Sequence, residues 1–353
     1  MKNKYIFVVI MLCCILFVSV GFTNIYVNVN STDEKTEDFV VVTSFYPMYI
    51  ATMNVVEDVP GVTLKNLSEP QTGCLHDFQL TPEDMKLLST ADVFIINGGG
   101  IESFMEEIAK SYPDLVIIEA CEGISLLDGE HDHEAESESA HDEEEHVHEL
   151  EDEHNHELET EHLHEEEDEH LHDVESNEDA HNHDEVANAH AWMSVSLYRK
   201  QVENITVGLA KAYPQNADIF KSNAANYDAK LLELEKEQNE VIALAEGNAA
   251  IMFHCAFDYV AEDYGLHVAY CIDLDEERQV SAGEVAEVLS VIEREDVQYI
   301  FAEELYGKSM CDLVQKEADV TVIYLDPLNR GTYEKDSYIE AMSKNIELIK
   351  EAF

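Results

Sequence analysis

The chain predicts an α/β protein with two lobes, each on a parallel sheet, joined by a single long helix. Three observations carry this. Short β-branched runs alternate with helical stretches, which is the pattern of buried parallel strands. The runs fall into two groups, one on each side of the middle of the chain. Between the groups, no Pro or Gly interrupts positions 215 to 246. With 353 residues, 45% of them apolar, the chain is long enough for two domains with a core in each.

The elements follow in order. Lys2 and Lys4 precede an apolar run from Tyr5 to Phe22, the pattern of an export signal. The run suits cleavage, after Gly21, and is also long enough to remain as an N-terminal anchor. A lipidated Cys13 or Cys14 would lack the small preceding residues such a site prefers. A polar spacer, Thr23 to Asp38, leads to the first strand, Val40 to Phe45; further strands are expected at Val93–Asn97 and Leu115–Glu119. Thr81-Pro82-Glu83-Asp84 starts a helix between the first two, with a Thr cap, proline in the first turn and acids facing the positive dipole end. Phe220, Ala224, Tyr227, Leu231, Leu234, Val241 and Ala245 form the stripe of the long helix, broken only at Gln238. The second group of strands covers Ala249–Phe253, Val268–Ile272, Tyr299–Ala302 and Val320–Leu325.

Charge separates one segment from the rest. The sequence has 76 acidic and 20 basic residues, a formal net charge of −56. Nucleic acid is excluded as a partner, because binding phosphates needs a basic footprint; cations are favoured. Residues 130–185 hold 27 of the acids, 13 of the 17 histidines and no Lys or Arg. Within them an eight-residue repeat sets out four His-x-His pairs: His146 with His148, His154 with His156, His162 with His164, and His170 with His172. Two further pairs, His131 with His133 and His181 with His183, flank the repeat. So many like charges and so few apolar residues cannot bury a core, so the segment is expected to be disordered without metal. Imidazole beside carboxylate suits weak, exchangeable zinc binding. A flexible chain of this length spans roughly 40 Å and could carry ions to a fixed site.

Four histidines lie elsewhere. His76 sits in a loop before the capped helix, His190 where the acidic segment ends, and His254 directly after a strand, where ligands bind in parallel α/β lobes. His267 precedes a strand without such a setting. Asp326, closing the last strand, matches His254 in position. Three His and one Asp meeting in a cleft would form a four-coordinate zinc site, although spacing alone does not bring them together. Past the leader the cysteines are Cys74, Cys121, Cys255, Cys271 and Cys311. With no CxxC pair a zinc ribbon is excluded, and most are expected to be small buried hydrophobes.

From Phe39 onward the chain resembles the solute-binding subunit of metal-specific ABC transporters, the zinc and manganese uptake family. The resemblance rests on Ser44-Phe45-Tyr46-Pro47, the His76 loop with Leu80-Thr81-Pro82, Asn97-Gly98-Gly99, His190-x-Trp192, Phe253-His254 with Tyr264-Gly265-Leu266, Glu303 after Phe301-Ala302, and Leu325-Asp326-Pro327-Leu328. It implies two α/β lobes, a metal in the cleft between them, and His76, His190, His254 and Asp326 as ligands. Glu303 is an auxiliary candidate. His at the third position, where manganese proteins carry Glu, favours zinc, as does a His- and acid-rich insertion before the second ligand. Ala189 stands where proline often precedes the second histidine, and Met193-Ser194 replaces the usual acidic-proline ending.

The expected protein is therefore an exported, non-enzymatic Zn²⁺ receptor at the extracytoplasmic face of a bacterial membrane or in the periplasm. It is expected to be monomeric and to deliver zinc to an ABC permease, with a His- and acid-rich loop as collector. The alternatives are manganese as cargo, a surface adhesin or zinc buffer, and a zinc hydrolase; the last lacks HExxH or a paired HxH motif in the folded regions. The expected organisation is residues 1–38 as leader and spacer, 39–190 as first lobe with the insertion at 129–187, 191–247 as helical connection and 248–353 as second lobe.

Overall fold

β1 (Phe39–Thr43) and β3 (Val93–Ile96) form where the sequence packs β-branched residues, and both are buried at the centre of a sheet. The computed structural model describes residues 38–73, 75, 78–129, 187–274 and 280–353. The chain divides into two units, residues 1–130 with 186–353, and residues 131–185; every described residue belongs to the first. The leader lies outside the described residues. So do all six expected metal-binding pairs of the insertion: His131 and His133, His146 and His148, His154 and His156, His162 and His164, His170 and His172, and His181 and His183.

The first sheet has the order β2-β1-β3-β4, all parallel, with β2 at Val62–Asn66 and β4 at Val116–Glu119. Sequence reading missed β2, an edge strand whose Val-Thr-Leu-Lys-Asn carries no continuous apolar run and is only half-buried. α1 (Tyr46–Val55) follows β1, with Pro47 in its first turn. α2 (Pro82–Leu88) starts as expected and closes a reciprocal cap: Asp84 N–H donates to Thr81 Oγ1, and Thr81 N–H donates to the Asp84 carboxylate. α3 (Met105–Ser111) connects β3 to β4.

After β4 the chain forms a short antiparallel pair, β5 (Leu127–Asp128) with β6 (Ala187–Asn188), which ties together the two ends of the 129–186 insertion. α4 (Val195–Ala212) then leads to α5 (Ala217–Ala245), whose 29 residues extend about 44 Å. The apolar stripe of α5 is buried as its spacing requires. Gln238 is buried with it, donating from Nε2 to Asp263 Oδ2 at 2.9 Å, while Ser194 Oγ donates to Asp263 Oδ1 at 3.1 Å. The polar break in the stripe thus anchors α5 to α6 (Asp258–Tyr264) and to the start of α4.

The second sheet, also parallel, has the order β10-β9-β7-β8, with β7 at Ala249–Met252, β8 at His267–Cys271, β9 at Tyr299–Ala302 and β10 at Thr321–Tyr324. One face packs on α7 (Ala282–Glu295) and α8 (Glu304–Glu317), where Ile251, Phe253, Val288, Val291, Ile300, Met310 and Val314 form a separate core. The larger core joins the first sheet, α4, α5 and the C-terminal helix α9 (Ser337–Ala352).

In both sheets the strand order reverses direction beside the first strand of the lobe. The reversal falls between β1 and β3 in one sheet and between β7 and β9 in the other. Loops leaving the carboxyl ends of such neighbours diverge, leaving a crevice where ligands bind. Ser44 and Asn97 leave the first sheet at this point; His254 and Glu303 leave the second.

Candidate metal centre

His190 stands between β6 and a single 3₁₀ turn, Ala191–Met193, and is 1% exposed. Its loop is fixed from several sides. Asn97 Nδ2 donates to the Ala189 carbonyl at 2.9 Å, while Gln201 Nε2 donates to Asn97 Oδ1 at 2.8 Å. Trp192, fully buried, donates its indole N–H to the Pro327 carbonyl at 2.9 Å and meets Phe45 edge-on. Tyr338 Oη donates to the Trp192 carbonyl at 2.8 Å. Two motif segments far apart in sequence, His190-x-Trp192 and Leu325–Leu328, therefore meet through one hydrogen bond.

Asn188 sets the imidazole. Its Nδ2 faces two acceptors, the Cys255 carbonyl at 2.8 Å and Asp258 Oδ2 at 3.0 Å. That orientation turns Oδ1 toward His190, where it accepts from the backbone N–H at 3.1 Å and lies 2.8 Å from Nδ1. An amide oxygen only accepts, so Nδ1 carries the proton and Nε2 keeps the lone pair a metal needs. Tyr259 Oη closes the arrangement by donating to the Asn188 carbonyl at 2.6 Å.

His254 follows β7 and is fully buried, with its ring 5.2 Å from that of His190 at an interplanar angle of 81°. Glu303, which follows β9, places Oε2 3.8 Å from His254 Nδ1, while its Oε1 pairs with Arg330 at 3.1 Å. Cys255, next after His254, opens a 3₁₀ turn. Its Sγ lies 3.7 Å from His190 Nδ1 and 3.5 Å from Asp273 Oδ2. Among the described residues, His190, His254 and Cys255 form a group whose donor atoms all lie within 4.8 Å of one another.

Of the expected ligands, then, the structure brings His190 and His254 together. His76 lies outside the described residues. Asp326 is not among the donor atoms of that group; its Oδ1 accepts from Leu328 N–H at 2.8 Å, and its backbone is held by Asn345 on both sides. Neighbouring protein desolvates its carboxyl and raises its pKa, opposed by the Leu328 N–H and by Arg330. It lines a cavity of about 410 Å³ with Glu303 and Arg330. His267 is exposed, 3.3 Å from Glu295. Cys255 and Asn188 escaped sequence reasoning, which searched cysteines for CxxC pairs; the signal available was the His254-Cys255 dipeptide directly beyond a strand. Cys121 and Cys311 behave as the expected buried thiols, and desolvation pushes both up to about 12.

A further buried group supports the first-lobe side. Glu102 accepts from Ser44 Oγ at 2.8 Å and from the N–H groups of Asn97 and Gly98 at 2.7 and 3.0 Å. Burial nevertheless raises its pKa to about 7. Gly98 has φ +84°, and a Cβ there would collide with the Glu119 side chain, so this turn accepts only glycine.

Two parallel-sheet lobes about one long helix, with the buried imidazoles of His190 and His254 5.2 Å apart, define the fold class and the place of the site. The model of the family described as zinc-uptake complex component A, periplasmic (ZnuA), matches residues 41–352, and the chain belongs to that family. The zinc-binding protein AdcA of Streptococcus pyogenes serotype M3 is 29% identical over 320 residues, covering 88% of this chain and 55% of its own length. The high-affinity zinc uptake system protein ZnuA of Bacillus subtilis is 28% identical over 329 residues, covering 91% of this chain and 90% of its own. The chain thus spans about half the length of the streptococcal relative and nearly all of the Bacillus one. The Zn(II)-bound AdcA structure from Streptococcus pneumoniae superposes with a TM-score of 0.64 at 23% identity, over 89% of this chain and 57% of that one, and shows the shared fold.

Proposed function

We propose that this protein is a high-affinity extracytoplasmic zinc receptor that delivers Zn²⁺ to the permease of an ABC transporter and carries out no chemistry on it. The observation that carries the reading is the pair of buried imidazoles, His190 in the loop after β6 and His254 just beyond β7, whose rings meet edge-on 5.2 Å apart. Imidazole favours zinc over manganese, and the names of the AdcA and ZnuA relatives agree with zinc. The ligand set is proposed to include His76 and Asp326, as the resemblance implies, with Glu303 as auxiliary. The receptor works as a monomer, organised in the lobes and connection read from the sequence.

The 130–185 segment collects zinc weakly and raises its concentration near the centre. Its proposed donors are the six His-x-His pairs, from His131 and His133 through the repeat at His146, His148, His154, His156, His162, His164, His170 and His172 to His181 and His183. The β5–β6 pair supports this, because it returns the segment to the chain two residues before His190. The test is calorimetry and metal analysis on the chain with and without the segment. The folded unit should bind about one zinc tightly, and His254→Ala should remove that binding. A segment-deleted chain without tight zinc binding would overturn the reading.

A further inference from the structure

We propose that Cys255 is a metal ligand, giving the centre a thiolate beside the imidazoles of His190 and His254. This rests on the receptor reading and adds a sulfur donor to it.

Geometry comes first. Donors bound to one zinc at roughly 2.0–2.3 Å stand about 3.5 Å apart. One donor atom from each of His190, His254 and Cys255 lies within 4.8 Å of the others, so closing on an ion takes side-chain movement of about an ångström; the sulfur also packs 3.7 Å from His190 Nδ1, on the same ring. Both elements are also positioned by one side chain: the Asn188 amide donates to the Cys255 carbonyl and accepts from His190. A residue that merely filled space would not need to share the support of a ligand.

The surroundings of Cys255 differ from those of Cys121 and Cys311, which are buried within the cores. Cys255 is only partly buried, and Asp273 receives both its backbone N–H, at 3.3 Å, and its thiol. When the sulfur–metal bond forms, the S–H bond breaks and its proton leaves past Asp273 to solvent. Among the described residues, Cys255 is the third member of the group of donors that His190 and His254 form. A soft thiolate with two imidazoles selects zinc against manganese more strongly than a carboxylate does.

Cobalt(II) is the probe. The full chain with one equivalent of Co²⁺ should show a near-ultraviolet sulfur-to-cobalt charge-transfer band. The 130–185 segment contains no cysteine, so the band reports on the folded unit. It should persist in Cys74→Ser and vanish in Cys255→Ser, whose visible cobalt bands remain. Zinc affinity of Cys255→Ser should fall at least roughly tenfold, with a narrower preference over manganese. In the unaltered chain, saturating zinc should protect Cys255 from iodoacetamide, read by peptide mass. Visible cobalt bands without charge transfer, a band surviving Cys255→Ser, or unprotected Cys255 would each overturn the thiolate while leaving the receptor reading standing. Failure to take up either metal would overturn both.

Discussion

Asn188 Oδ1 lies 2.8 Å from His190 Nδ1, and the other end of the same amide holds the Cys255 carbonyl. One side chain thus sets the tautomer of one donor and the position of another. Outer-sphere partners of this kind are commonly worth ten- to a hundredfold in metal affinity. Asn188→Ala should therefore weaken zinc binding by about 10–100-fold in calorimetry while the far-ultraviolet spectrum stays unchanged. Unchanged affinity would show that His190 is oriented by other contacts.

Glu102 gives a pH dependence of stability opposite to that of most carboxylates. Its pKa rises from 4.5 to about 7 on folding, chiefly by desolvation. Between those values the folded chain keeps a proton the unfolded chain has released, so this contribution is fully present at low pH and is lost as pH rises to about 7. Glu102→Gln removes the titration. The stability of the parent relative to the variant should fall by about 3 kcal/mol from acid to neutral pH, measured by urea unfolding of metal-free protein. A constant difference would refute the assignment.

Gln238 interrupts the apolar stripe of α5 to bind Asp263. Gln238→Leu restores the stripe but removes a partner from a largely desolvated carboxyl. The variant should lose about 1–3 kcal/mol, read as a lower denaturant midpoint with the same slope. A gain in stability would mean that apolar contact outweighs the hydrogen bond.

The β5–β6 pair makes a clean deletion possible. Asp128 and Ala187 are direct cross-strand partners, so an Asn-Gly turn can replace residues 129–186 without moving either strand. Cleft affinity should change by less than about twofold, whereas uptake from zinc-poor medium should fall. A large loss of affinity in the purified protein would make the segment part of the centre itself.

Much of the fold was legible because strand and helix periods are local properties. The seven long apolar runs became the strands of two parallel sheets, and the stripe from Phe220 to Ala245 became one helix. β2 and the β5–β6 pair were not legible: the first is a half-exposed edge, and each strand of the second is two residues long. For the site, position after a strand pointed to His254 and the end of the acidic segment to His190, with the resemblance grouping them; no local signal announced Asn188, and for Cys255 the only one was its place next to His254. Their roles depend on which neighbour lies across the crevice, and for Cys255 that neighbour is 65 residues away in sequence.

The sequence by itself determined the two α/β lobes, the long helix between them, the segregated acidic segment and a short set of histidines suited to zinc. These follow from periodicity, composition and donor chemistry, which need no knowledge of distant contacts. Only the tertiary structure decided that His190, His254 and Cys255 stand together, that Asn188 holds both His190 and the Cys255 carbonyl, and that the Asp326 carboxylate accepts from Leu328 N–H. The reason is that metal donors must converge within a few ångströms, and convergence is set by strand order and loop hydrogen bonds rather than by spacing along the chain.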